Sequence, residues 1–199
     1  MKGHYITYTS AKAGAASGAA AQAFDDSDWQ PVDLPHDWAS ESPLEKDANI
    51  AQGYRKRGFG WYRRHFQVDP ADRGKHFELQ FDGVSTHCTV WVNGTVVHRN
   101  WCGYTSFSAD ITPLLKYGDE FNTVAVRVDA EAQEGWWYEG AGIYRHTWMV
   151  KRSPVHIVTD GVFAQPVKAP DGQWSIPAEV TLANSGGKNA TATVEFTLL

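Results

Sequence analysis

The chain has 199 residues, of which 42% are apolar and 21% charged. That composition supports a buried core and excludes a disordered tail. The length excludes a complete (β/α)₈ barrel, which takes about 250 residues. A net charge of −5 argues against a nucleic-acid binder, and no apolar run approaches the ~18 residues needed to cross a membrane. Aromatics make up 13%, with nine Trp, which suits β structure and ring-binding surfaces better than a helical bundle.

The chain opens on Met1-Lys2 without a Leu/Val-rich stretch. Ala11–Ala23 is rich in Ala, Gly and Ser. Residues 1–23 are therefore expected to be a flexible or trimmed segment rather than a signal peptide. A cytoplasmic location is favoured if Met1 is the native start. Beyond this segment, helical periodicity is almost absent and strand signals recur. Strands are predicted over Trp61–Val68, His76–Phe81, Thr86–Val92, Thr95–Arg99, Asn122–Val128 and His146–Lys151. Asp69-Pro70, Asp82-Gly83, Thr112-Pro113 and Tyr117-Gly118-Asp119 punctuate them.

Asn93-Gly94 reads as a two-residue hairpin turn. In that register Val92 faces Thr95 and Cys88 faces Arg99. Cys88, Val90, Val92, Thr95 and Val97 then share one face, with Thr89, Trp91, Val96 and His98 on the other. His98 is expected at a surface or interface. Cys102 falls opposite Ser85, so Cys88 and Cys102 are out of register for a disulfide and are expected to be free thiols.

A boundary falls near Ser153-Pro154, where aromatic density drops. Val155–Val158, Phe163–Val167, Ile176–Leu182 and Thr191–Leu199 read as about four further strands. An immunoglobulin-type sandwich needs about seven, so residues 153–199 read as an incomplete sandwich with an open edge. The expected fold is all-β: a jelly-roll β-sandwich over 24–152, followed by an incomplete immunoglobulin-like β-sandwich.

Four ordered segments carry a resemblance. They are Phe24-Asp25-Asp26-Ser27-Asp28-Trp29 running on to Leu34-Pro35-His36-Asp37-Trp38; Gly60-Trp61-Tyr62-Arg63-Arg64-His65-Phe66; Phe81-Asp82-Gly83-Val84 with Val90-Trp91-Val92-Asn93-Gly94; and Trp136-Trp137-Tyr138-Glu139-Gly140-Ala141-Gly142-Ile143-Tyr144-Arg145. Together they resemble the N-terminal sugar-binding domain of glycoside hydrolase family 2, the family of β-galactosidases, β-glucuronidases and β-mannosidases. The resemblance extends over residues 24–152, and residues 154–199 look like the start of the family's next, immunoglobulin-like domain.

The residues also carry a reading of their own. Leu34-Pro35-His36-Asp37-Trp38 is an extended segment whose Trp plugs the core and whose His36 and Asp37 form a polar tether. Arg55-Lys56-Arg57 reads as a solvated basic turn. Gly135, Gly140 and Gly142 make the 133–145 stretch a loop. Successive residues point to opposite sides, so at least one of Trp136, Trp137 and Tyr138 should be exposed or face a partner. No His/Cys/Asp cluster has metal-site spacing within the fold, and no cofactor is expected.

The resemblance implies a retaining exo-glycosidase, most closely a β-galactosidase, as the parent molecule. The 133–142 loop would reach toward the active site on the barrel. Some members carry a carboxylate there that touches the sugar. The matching position here is Trp136, which suggests an apolar platform, with Glu134 and Glu139 as nearby carboxylates that could compensate. Trp136, Trp137, Tyr138, Glu134 and Glu139 are thus candidates for the substrate pocket or for the interface with the barrel. The family sets both catalytic glutamates on the barrel, so no catalytic residue is expected in this chain. The implied partners are a β-glycoside and the chain's own barrel domain, and a homo-oligomer is compatible with them. A stand-alone carbohydrate-binding module and a purely structural interaction domain are the competing readings.

Overall fold

Alternation of apolar and polar residues, with little helical periodicity, builds a sheet structure. The computed structural model describes residues 16–131 and 135–198. Two compact units divide the chain, one of residues up to 73 with 77–150, the other of residues 74–76 with 151 onward.

The first unit holds β1 (Phe59–Phe66), β2 (His76–Phe81), β3 (His87–Val92), β4 (Thr95–Asn100), β5 (Phe107–Asp110), β6 (Asn122–Asp129) and most of β7 (Thr147–Arg152). One sheet has the order β1-β6-β3-β4, the other β5-β2-β7. The only α-helix among the described residues is the single turn α1, Trp38–Glu41. This is the all-β sandwich expected. The expected strands form to within two residues at each end, with β5 added.

Side chains at alternate positions meet between the sheets, as the strand period of two requires. Phe77, Leu79 and Phe81 of β2 pack with Cys88, Val90 and Val92 of β3 and Val124, Val126 and Val128 of β6. The opposite face of the larger sheet is covered as well. Trp61 and Trp91 stack there at 5.3 Å, and Ala20 packs against Trp91 and Ala125. The strap that carries Ala20 is held by Arg63. Its buried guanidinium donates to the carbonyls of Ala19, Ala21, Gln22 and Phe24 and to Asp26 Oδ2 at 2.8 Å. Residues 16–23, read from sequence as part of a flexible or trimmed segment, are therefore ordered against the sheet. Hydrogen bonds from Arg63 and His65 outweigh burial at Asp26, so its carboxyl sits below the usual carboxylate range.

Two sequence expectations about the β3–β4 hairpin need revision. Val92 does face Thr95, across a turn with Asn93 at φ 50° and Gly94 at φ 78°. A β-bulge then intervenes: Trp91 faces Val96, but Val90 faces His98 and Cys88 faces Asn100, not Arg99. The extra residue turns His98 to the face of Val90. His98 stacks on Phe107 at 4.5 Å, and burial lowers its pKa. It is a half-buried core neighbour, not a surface residue. Both cysteines are free, with Cys88 buried.

Asn93 serves more than its turn. Its side-chain amide donates to Leu114 O and Asn122 Oδ1 and accepts from Thr123 N, at 2.8–2.9 Å. Asn122, fully buried, returns the pairing to Lys116 N and O at 2.8 Å. This satisfies backbone groups where the β5–β6 connection crosses the end of the sheet.

The second unit pairs β8 (Val155–Ala164) with β11 (Ala178–Asn184), and β9 (Val167–Lys168) with β10 (Trp174–Ser175). Val155–Val158 and Phe163 belong to one strand rather than two. An irregularity at Asp160 (φ 57°) and Gly161 takes up the break in pattern. The strand expected at Thr191–Leu199 does not form over 191–198, and Leu199 lies outside the described residues. Phe163, Trp174, Phe196 and Leu198 are exposed, so apolar side chains of this unit remain open to solvent.

Asn93→Ala should lower stability by about 1–3 kcal/mol, because it strands buried polar partners and forces alanine into a left-handed turn. The check is the urea midpoint, which should fall without a change in slope. The Cys88 thiol is pushed up to about 12 by burial. A thiolate reagent at pH 8 should therefore modify Cys102 readily and Cys88 only after denaturation.

Candidate functional site

The site is built where the 36–38 segment runs beside residues 141–143. His36 N donates to Ile143 O at 2.8 Å, and Trp38 N to Ala141 O at 3.0 Å. Ser85 and Gly142 exchange backbone hydrogen bonds on the other side. The approach is so close that side chains are excluded at two points. A Cβ on Gly140 (φ +74°) would meet Asp37 Oδ2 at 2.9 Å, and one on Gly142 (φ +132°) would overlap the Tyr62 hydroxyl and the His36 carbonyl.

Asp37 joins the pieces. Its Oδ1 accepts from Ala39 N and Ser40 N, capping α1, and from Ala141 N at 2.9 Å. Its Oδ2 accepts from the Tyr138 hydroxyl at 2.7 Å. Burial, followed by this carboxylate, pushes the Tyr138 hydroxyl well above its ordinary pKa, so it stays a donor. His36 Nδ1 lies 2.8 Å from the Tyr62 hydroxyl, which burial pushes up to about 12. The expected polar tether of His36 and Asp37 is present. Trp38 packs against the core and donates its indole N–H to Arg57 O at 2.7 Å.

Beneath the loop lies a second polar layer. The buried Gln52 amide donates to Trp137 O at 2.9 Å and Glu139 Oε2 at 3.1 Å, and accepts from Glu139 N at 3.0 Å. Arg57 Nη1 lies 3.1 Å from the same Glu139 oxygen, with side chains 4% and 2% exposed. Ser85 Oγ donates to Glu139 O at 2.7 Å.

On this base the aromatics point outward. Trp136 is 93% exposed, Trp137 55% and Tyr138 39%. Trp137 Nε1 donates to the Tyr104 hydroxyl at 2.8 Å, and the Tyr144 hydroxyl donates to Gly103 O at 2.8 Å. These bonds bring the 103–104 turn to the loop.

Of the five candidates, Trp136, Trp137 and Tyr138 form one exposed aromatic group. Glu139 does not join it. Its carboxylate is turned inward to Arg57 and Gln52, so it holds the loop rather than facing a ligand. Glu134 lies outside the described residues. The basic turn is also different from expectation: Arg57 is buried with Glu139, and Arg55 donates to the carbonyls of Ala39 and Ser42. Lys56 alone of the three stays at the surface, paired with Glu45 and Asp47. Gln52 and Tyr104 were missed, because their partners lie 87 and 33 residues away and no local pattern marks them. Among the described residues, no group of three His, Cys, Asp or Glu could hold a metal ion. The exposed rings can stack on a ligand's flat apolar face.

The family profile described as "Glycosyl hydrolase 2 galactose-binding domain-like" matches residues 32–159. The chain belongs to glycoside hydrolase family 2. It is 42% identical over 179 residues to the β-galactosidase BoGH2A of Bacteroides ovatus, covering 88% of this chain and 21% of that protein. It is 34% identical to a β-galactosidase of Thermoanaerobacter pseudethanolicus, covering 86% and 24%. It is 31% identical to a β-glucuronidase of Bacteroides fragilis, covering 86% and 25%. Among solved structures, a family 2 member from Bacteroides cellulosilyticus superposes with a TM-score of 0.73 at 36% identity, over 85% of this chain and 23% of that one. The chain thus spans about a fifth to a quarter of these relatives.

Gln52→Leu keeps the volume but strands Glu139 N–H, Trp137 O and part of the Glu139–Arg57 pair. It should cost about 1–3 kcal/mol per stranded group and open the loop. The expected readout is a lower Tm together with new proteolytic cleavage near residues 135–140.

Proposed function

We propose that this chain is the non-catalytic N-terminal portion of a family 2 retaining exo-glycosidase that hydrolyses β-galactosides. Its 136–138 loop forms one wall of the substrate pocket beside a catalytic barrel. The observation that carries this reading is the exposed Trp136-Trp137-Tyr138 group on a rigid, hydrogen-bonded base. Trp137 and Tyr138, fixed by hydrogen bonds to Tyr104 and Asp37, present their rings with little ordering cost when a sugar or the barrel arrives. In this reading the two carboxylates of the retaining mechanism, about 5–5.5 Å apart, belong to the barrel. The arm supplies orientation and exclusion of water.

A neutral galactoside is preferred over a glucuronide because the two cations beside Tyr138 are engaged inward. Arg57 is buried against Glu139, and Arg55 is tied to backbone carbonyls. Neither is presented to a substrate carboxylate.

In the complete enzyme, Trp136→Ala and Trp137→Ala should each lower kcat/KM for p-nitrophenyl β-galactoside by roughly tenfold, a loss of ~1.4 kcal/mol in transition-state binding. Unchanged kcat/KM in both variants would remove the pocket role. Higher kcat/KM for the p-nitrophenyl glucuronide would overturn the galactoside assignment.

A further inference from the structure

The strap over the outer face of the larger sheet is fastened by a few polar groups, and they lie apart from the core. Ala20, its buried residue, sits against Trp91 and Ala125, with Trp61 and Val96 beside them. None of these five belongs to the cluster between the sheets. We propose that residues 19–26 form a latch, held shut by the charge of Asp26 on Arg63, which opens on acidification while the sandwich stays folded.

The strap is built to move as a unit. Its backbone hydrogen bonds close within the segment itself: Ala21 N donates to Gly18 O, Phe24 N to Ala21 O, and Trp29 N to Asp26 O. It lies on the sheet without joining a strand. Gln22 adds two side-chain contacts, donating to Phe121 O at 3.0 Å and accepting from Lys116 Nζ at 3.3 Å. The main fastening is Arg63, whose side chain is 1% exposed. Among the described residues, its five hydrogen bonds all end on the strap, on the carbonyls of Ala19, Ala21, Gln22 and Phe24 and on Asp26 Oδ2. Its guanidinium also lies 5.4 Å from the centre of the Phe24 ring.

This arrangement makes Asp26 the switch. A cation taken out of water needs a counter-charge and an acceptor for each N–H. The strap supplies both, so the closed state is well compensated. When the strap lifts, water replaces it and no buried ion is stranded. Neutralising Asp26 with the strap closed is different, because the guanidinium then stays buried without its carboxylate. That is the costly state, and lifting the strap relieves it. The strap's departure uncovers the patch of Trp91 and Ala125 that Ala20 occupies.

The direction with pH follows from the groups that face Asp26. From β1 come Arg63 Nε at 2.8 Å and His65 Nε2 at 3.0 Å. His65 is anchored in turn through Nδ1 to Thr123 Oγ1 at 3.0 Å. The strap itself brings the like charge of Asp25. Lys116, which reaches the strap only at Gln22, is paired with Glu120. Burial disfavours the Asp26 carboxylate, but the bonds from Arg63 and His65 outweigh it and hold the group below the usual carboxylate range. The closed state therefore binds this proton less readily than the open one. Its advantage is complete above the ordinary Asp value of about 3.9 and is lost as the pH falls through the lowered value. At neutral pH the latch is shut.

The test is NMR of the 199-residue chain with a neutral gadolinium chelate in solution, which broadens methyl signals that solvent can reach. Ala20 is 5% exposed, and its methyl signal, assigned through Ala20→Gly, reports the strap. Val90 and Val126, buried in the core, report the sandwich. Asp26→Asn keeps an acceptor for Arg63 and removes only the charge. At pH 7 it should raise the broadening of Ala20 roughly threefold or more, with Val90 and Val126 unchanged. In the parent chain, acid below about pH 3.9 should do the same, ahead of any loss of far-UV ellipticity. Equal broadening of Ala20 in Asp26→Asn and in the parent overturns the proposal. So does broadening that rises together at Ala20, Val90 and Val126, in the variant or in acid, because strap and sandwich would then open as one. Neither result depends on the role of the 136–138 loop.

Discussion

One carboxylate organises the end of this domain that carries the 136–143 loop. Asp37 caps the four-residue helix and accepts hydrogen bonds from Ala141 N and from the Tyr138 hydroxyl. Two segments 101–104 residues apart in the chain are thereby brought to one point. Oδ1 serves both the helix cap and Ala141 N, while Oδ2 holds Tyr138, so helix entry and loop position are set together. The two glycines opposite, Gly140 and Gly142, allow the backbone to come that close.

Behind Asp37, the loop is supported by polar contacts rather than by apolar packing. Gln52, Arg57 and Glu139 form a small buried network whose members are satisfied by one another and by backbone groups. Networks of this kind add little net stability against an apolar replacement, but they are costly to break and tolerate few alternative arrangements. That property fixes the backbone of Trp137 and Glu139 in one arrangement. The apolar core, centred on β2, β3 and β6, carries the stability, while the network carries the geometry.

The sandwich was legible in the sequence because its strands alternate with period two and are bounded by strong turn signals. β2, β3, β4 and β6 are clear on that basis. Phe107–Asp110 was not seen, because four residues reading Phe-Ser-Ala-Asp show too little alternation. The bulge at Val97 was also invisible. A period-two count carries straight through an extra residue, so His98 was placed on the wrong side of its strand. At the loop, exposure of the aromatics follows from three large rings in succession. The inward turn of Glu139 does not, since it depends on Gln52 and Arg57, both more than 80 residues away in the chain. The burial of Arg63 has no local sign for the same reason: the carbonyls it donates to come from residues 19–24.

The strap at residues 16–24 lies over two indoles stacked face to face. Closely spaced indoles tilted 29° to one another couple their electronic transitions, and such a skewed pair gives a paired positive and negative band in circular dichroism that isolated tryptophans lack. The domain therefore carries an intrinsic optical marker on the outer face of its larger sheet. The band reports whether Trp61 and Trp91 remain in register, and with them whether residues 16–24 are seated on the sheet.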